Sequence, residues 1–271
     1  MAKNNIVICG DSFNIGIGCH NLDTEPYGQL LGQTLGKDVI NLAKGSSTNF
    51  SIYLQAQYAA EKYTDSADLV IISHTSYDRV DWFPMDYDFP RGEITLADVN
   101  YHQYPPYGEH TYHVHDHEVR LKHPLVNDPN YTGAMFTDNL MGVIDYWENF
   151  GSKDIDSGYY ARFRTEPKQR MKTLYDYGTT IHETRINRIQ TIGLMTMAHQ
   201  LLKRANINHL ILTHEPDYYK KFIDSINICE LSWGQLSIDY PDDLPSWHTG
   251  AAGHRCAYDK IMEKLKENAW T

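Results

Sequence analysis

The run Ile6-Val7-Ile8-Cys9 leads at once into Gly10-Asp11-Ser12. Four apolar residues in succession, bounded by a glycine turn, suit a strand covered on both faces rather than one with a solvated side. Beyond it, Pro26 to Leu35 predicts a short helix entered through Asp23 and Thr24, and Val39 to Leu42 a second strand. Thr48 or Asn49 is placed to cap a helix running through Tyr63. Leu69-Val70-Ile71-Ile72-Ser73 is a second continuous apolar run and predicts a third strand. Strand, helix, strand, helix, strand in this order implies a parallel sheet.

That rhythm stops from Val80 to Gly178, where Tyr, His, Pro, Asp and Asn dominate and apolar residues are scattered. It resumes with a long helix expected from about Thr179 to Ala205. Ile186, Ile189, Ile192, Gly193, Met197, Leu201 and Leu202 mark its apolar stripe. His209 to Thr213 reads as a fourth strand, Glu215-Pro216 opens a short helical piece, and Cys229 to Tyr240 fits either a loop or an edge strand. A last helix, about Ala251 to Asn268, turns Tyr258, Ile261, Met262 and Leu265 to the sheet. The expected fold is α/β: a three-layer α/β/α sandwich of residues 1–79 and 179–271, interrupted by an insertion or lid over residues 80–178.

A chain of 271 residues is long enough for one large core. Its net charge of -11, from 24 Lys and Arg against 35 Asp and Glu, argues against a nucleic acid or an anionic membrane surface as partner. No stretch approaches the roughly 18 apolar residues of a membrane span, and no leader-like apolar region precedes the first strand. Cys9, Cys19, Cys229 and Cys256 show no metal-ligand spacing. Reduced thiols in a cytoplasmic setting are the expectation.

In an open parallel sheet the ligand site lies beyond the carboxyl ends of the strands. Ser12 follows the first strand, Gly45 the second, Thr75 and Ser76 the third, and His248 precedes the last helix. A serine hydroxyl becomes nucleophilic when a neighbouring base takes its proton, and His248 is the candidate base. Backbone N–H groups at Ser12 and Gly45 are natural donors to the negative oxygen formed in acyl transfer.

Ile8-Cys9-Gly10-Asp11-Ser12 resembles the first block of the SGNH (GDSL-type) hydrolases. Asn41-Leu42-Ala43-Lys44-Gly45-Ser46-Ser47 resembles their second block, and His248-Thr249-Gly250-Ala251-Ala252-Gly253-His254 is similar to their last. The resemblance covers the sandwich and not the insertion. It implies a flavodoxin-like sheet and a cofactor-free hydrolase acting on small esters or thioesters. Ser12 would be its nucleophile, His248 its base, and the Ser12 and Gly45 N–H groups its oxyanion donors. The third block, Gly-x-Asn-Asp, is not matched, since the strand leads into Ser73-His74-Thr75-Ser76-Tyr77-Asp78-Arg79. Thr75 or Ser76 is placed to donate a hydroxyl there instead, and Arg79 to hold a substrate anion or to pair with Asp81. The family's orienting acid lies three residues before the histidine, where this chain has Pro245. Asp243 or a backbone carbonyl is left to orient His248. No GxSxG elbow of the other common serine-hydrolase pattern occurs.

The insertion carries two further signals. His113, His115 and His117 alternate with Val114 and Asp116, so on one continuous strand the three imidazoles share a face that suits zinc, copper or nickel. A polar strand with no metal fits the same pattern and is the favoured reading. Asp81-Trp82-Phe83 and the stretch Tyr101 to Tyr112 supply aromatics that suit either stacking on the sugar of an acyl-carbohydrate substrate or the insertion's own core.

Overall fold

The structure, a computed structural model, describes residues 3–83, 93–99, 111–114, 117–120, 129–130, 132–150, 168–241 and 248–270. Its centre is a five-stranded parallel sheet. The strands are β1 (Asn5–Cys9), β2 (Asp38–Asn41), β3 (Ala67–Ser73), β8 (Asn208–Thr213) and β9 (Ile228–Glu230). They lie in the order β2-β1-β3-β8-β9, the flavodoxin-like arrangement, in which the chain reverses its direction of travel between β1 and β3. Ile8 stands opposite Asn41 on one side and Ile71 on the other.

Alternation along the strands builds the three layers. Val7, Cys9, Val70, Ile72 and Ile211 pack with Ile52 and Ala56 of α3 (Asn49–Lys62) and with Met195 and Leu202 of α6 (Thr184–Arg204). Ile6, Ile8, Leu69, Ile71 and Leu210 face the other way. They meet Leu31 of α2 (Tyr27–Leu35), Leu236 of α8 (Trp233–Asp239), and Ile261 and Leu265 of α9 (Ala251–Glu267). The α/β/α sandwich expected from the sequence is the observed fold.

Two local expectations are corrected and one left open is resolved. The helix expected from Thr179 begins at Thr184, because Thr179 and Thr180 close a separate helix, α5 (Lys168–Thr180). The stripe of α6 is rotated: Thr191, Met195, Ala198, His199 and Leu202 are buried, while Ile186, Ile189 and Met197 are exposed. Small and polar residues suffice on the buried side because α6 packs closely on α3 and because His199 is satisfied by His209, its Nδ1 lying 2.8 Å from His209 Nε2. Glu215-Pro216 opens the short helix α7 (Pro216–Tyr219), and the segment from Cys229 to Tyr240 holds the end of β9 and then α8, the latter capped by Ser232, whose side chain accepts from Gln235 N–H.

Within the interval 80–178 an antiparallel ribbon joins β4 (Arg79–Trp82) to β7 (Phe136–Asn139), and α4 (Leu140–Phe150) packs on α5 through Val143, Tyr146 and Met171. Thr111–Val114 (β5) and His117–Arg120 (β6) form a hairpin in which Val114 pairs with His117. That turn removes the continuous strand on which the three histidines were expected to share a face, and His115 lies outside the described residues. Among the described residues no group of three metal-ligating side chains is found, and no helix is long and apolar enough to cross a membrane. The four cysteines are unpaired.

Candidate active site

The carboxyl edge of the sheet collects the loops that follow each strand. After β1 the chain enters a one-turn helix, α1 (Ser12–Ile15), capped by Asp11, whose side chain accepts from Phe13 N–H at 3.1 Å. Ser12 is thus the first helical residue and is buried, at 7 % exposure. Gly10 must be a glycine, because a Cβ there would overlap the Asn14 side chain. Its N–H donates to Gln55 Oε1 at 2.7 Å and its carbonyl accepts from Gln55 Nε2 at 3.2 Å, so a buried glutamine of α3 satisfies both backbone groups of the turn.

The loop after β2 is tied alongside. Lys44 N–H donates to Gly10 O at 3.2 Å, and Asn41 Nδ2 donates to Asn14 O at 2.9 Å. Ser46 then takes a left-handed conformation, φ 63°, and Ser47 N–H returns to Lys44 O. Gly45 is buried in this turn. Neither the Ser12 N–H nor the Gly45 N–H has an acceptor among the described residues. Two adjacent loops therefore present unsatisfied donors at the edge where a reacting carbonyl oxygen would need them.

Asp11 is the electrostatic hub. It is 3 % exposed and accepts from Asn14 Nδ2 at 3.2 Å, Thr75 Oγ1 at 2.6 Å and Arg79 Nη1 at 3.0 Å. Arg79 Nη1 also donates to Ser47 O at 2.9 Å, and its buried Nε has no acceptor among the described residues. The pairing of Arg79 with Asp81, one of its two expected roles, is replaced by pairing with Asp11. Asp81 instead accepts from the hydroxyls of Thr48 and Ser51, and burial pushes its carboxyl up to about 6 against the pull of those hydroxyls and of Lys44.

Thr75 gives its hydroxyl proton to Asp11 and its N–H to Asn49 Oδ1 at 2.8 Å, so in this geometry it clamps the β3 loop and has no proton left for an oxyanion. Ser76 is exposed and exchanges hydrogen bonds with Asp78. Asn49, the first residue of α3, holds the same loop through Thr75 O and Ser76 O.

From the other end of the chain, His248 arrives beside Phe13, the residue after Ser12. Its half-buried ring lies 4.8 Å from that of Phe13, which stacks on Trp233 at 5.5 Å. Asp243, Asp242 and Pro245 lie outside the described residues. The loop is anchored after His248, where Thr249 bridges to Pro241 and its hydroxyl donates to Tyr240 O at 2.8 Å and Leu236 O at 3.1 Å. A Cβ on Gly253 would overlap Thr249 Oγ1, so Gly253→Ala is expected to cost about 1–3 kcal/mol in urea unfolding. An unchanged urea midpoint would show that Thr249 moves freely. His254 is buried against Tyr27, and burial, with His248 nearby, holds it down to about 3.

A crevice of about 300 Å³ opens along this edge between Asp11, Phe13, Arg79 and Trp233. It is also lined by His74 and His214, stacked at 5.1 Å, which sequence reasoning passed over. Burial, then the neighbouring His214, lowers His74 to about 4, so it stands neutral at physiological pH. Gln55 was also missed, although its place among Ile52, Ala56 and Ala59 on the buried face of α3 was a readable signal. No protein-family model matches the chain, and no curated protein is detectably similar to it.

Proposed function

We propose that the protein is a serine hydrolase of small esters, with Ser12 as nucleophile and His248 as general base. One observation carries this reading: the buried Ser12, the N–H groups of Ser12 and Gly45 with no acceptor among the described residues, and His248, whose ring lies 4.8 Å from that of Phe13, stand on loops at the carboxyl edge of one parallel sheet. In the reaction, Ser12 Oγ bonds to the acyl carbon while its proton passes to His248. The carbonyl oxygen takes up negative charge against the two N–H groups. The C–O bond to the leaving alcohol then breaks, with His248 returning the proton to that alcohol. Water repeats the sequence and releases the acid from Ser12.

Ser12→Ala is expected to lower hydrolysis of a short acyl ester at least about 10³-fold with the fold intact, the scale on which removal of a nucleophile acts. A fluorophosphonate probe is expected to label wild-type protein once per chain, at Ser12. Hydrolysis persisting in Ser12→Ala would overturn the assignment.

A second reading is favoured by the Thr75 hydroxyl, which is committed to Asp11. Under it the sandwich is a binding module with its catalytic parts disengaged. Folded protein that stays unlabelled by the probe would select this reading over the hydrolase.

A further inference from the structure

A second and larger cavity, of about 480 Å³, adjoins the crevice at Arg79, which lines both. It lies between the start of α3, the strand β4, the end of α5 and the first half of α6. Its volume falls within the range of small-molecule sites. Four aromatic rings line it, from Phe50, Tyr77, Trp82 and Tyr177. Trp82 and Phe83, adjacent in sequence, are thereby divided between the two roles open to them: Trp82 lines the cavity, while Phe83 packs against the core of Leu54, Leu96, Val99 and Met135.

The polar lining has hydrogen-bonding capacity to spare. Gln190 makes no hydrogen bond to another described residue, and neither does the Thr191 hydroxyl. Asn187 donates through Nδ2 to Tyr77 O at 2.9 Å and leaves its Oδ1 without a donor. Among the described residues the lining holds one cation, Arg79, already neutralised by Asp11, and one carboxyl, Asp81, already bonded to hydroxyls. Those residues offer a phosphate, sulfate or carboxylate no uncompensated charge. A plain acyl chain would cover the amides without offering them partners.

Rings that cover C–H surface, combined with amides that both donate and accept, match a ligand with an apolar face and a rim of hydroxyls. We propose that this cavity binds a neutral sugar ring and, resting on the hydrolase reading above, that this sugar is the alcohol part of the ester cleaved at Ser12.

The test uses the full chain carrying Ser12→Ala, so that binding is read without turnover. Neutral mono- and disaccharides, uronic acids and short fatty acids are each titrated by calorimetry and by tryptophan fluorescence. At least one neutral sugar is expected to saturate, with uronic acids and fatty acids binding at least about tenfold more weakly. Tyr177→Ala and Gln190→Ala, both at exposed positions where folding is insensitive to truncation, are each expected to weaken that sugar about tenfold. No saturable neutral sugar, a preference for the anions, or a sugar affinity unchanged in both variants would overturn the proposal. Sugar binding in a protein whose wild type cleaves no ester would leave the cavity assignment standing and remove the hydrolase reading. Ester cleavage without any sugar binding would do the reverse.

Discussion

Between pH 6 and pH 4.5 the folded state is expected to lose about 3 kcal/mol of stability for each pH unit. Three buried histidines produce this. His74 is held down to about 4, by burial and by His214 against the opposing pull of Glu215 and Asp11. His209 is held at about 4, by burial first, while its Nδ1–H donates to Ile207 O and its Nε2 faces His199. His254 is held at about 3 by burial and His248. In the unfolded chain each would bind a proton near pH 6.5, so below that pH the unfolded state takes up protons the folded state refuses, at about 1.4 kcal/mol per unit and per histidine. Asp81 works in the opposite sense. Raised to about 6, it is protonated in the folded state where the unfolded carboxyl is already ionised, and it returns about 1.4 kcal/mol per unit over the same window. Over that window the net slope removes about 4–5 kcal/mol, nearly the whole of a stability at the lower end of the usual range of about 5–15 kcal/mol. Urea unfolding at a series of pH values measures it. His254→Phe, which removes a buried ring nitrogen with no partner among the described residues, is expected to flatten the slope by about 1.4 kcal/mol per unit. Stability constant to within about 1 kcal/mol across the window would show that these histidines are not kept neutral by the fold.

The same residues explain what could be read from the chain and what could not. Ile6 to Cys9 and Leu69 to Ser73 announce themselves because a strand buried on both faces needs an unbroken apolar run, and the layers follow from helices placed between such runs. That Ser12 and Gly45 stand at one edge was legible because an open parallel sheet sends every post-strand loop there. The stripe of α6 misled because burial there is granted to Thr191 and His199 by partners distant in sequence, while Ile186 and Ile189 face solvent. α8 carried its own signal, Ser232 followed three residues later by Gln235, though its start at Trp233 sits where an edge strand was equally plausible. The bonds of Asp11 were invisible for a different reason. Its partners Thr75 and Arg79 lie 64 and 68 residues away, and no local pattern distinguishes a capping aspartate from one that also neutralises a buried guanidinium.

That hub predicts the largest single-residue effect in the molecule. Asp11→Ala is expected to cost about 3–5 kcal/mol in urea unfolding, the scale on which removing one member of a buried ion pair acts. The variant strips the N-cap from α1, leaves the Thr75 hydroxyl without its acceptor, and isolates an arginine whose side chain is 13 % exposed and whose Nε is already unpartnered. The stranded charge is the greater part of the cost, because a lost N-cap accounts for only about 1 kcal/mol. Replacing the arginine as well should therefore recover much of the loss: Asp11→Ala combined with Arg79→Met is expected to be more stable than Asp11→Ala alone, with a coupling of at least about 1.5 kcal/mol. Additive effects of the two substitutions would place the importance of Asp11 in its cap alone. Activity gives an independent reading, because Ser12 is the residue that Asp11 positions by holding Phe13 N–H and the β3 loop together. Under the proposed hydrolase reading, if the loop geometry built around Asp11 is what presents the Ser12 N–H and hydroxyl, the double variant regains stability while remaining poor in ester hydrolysis.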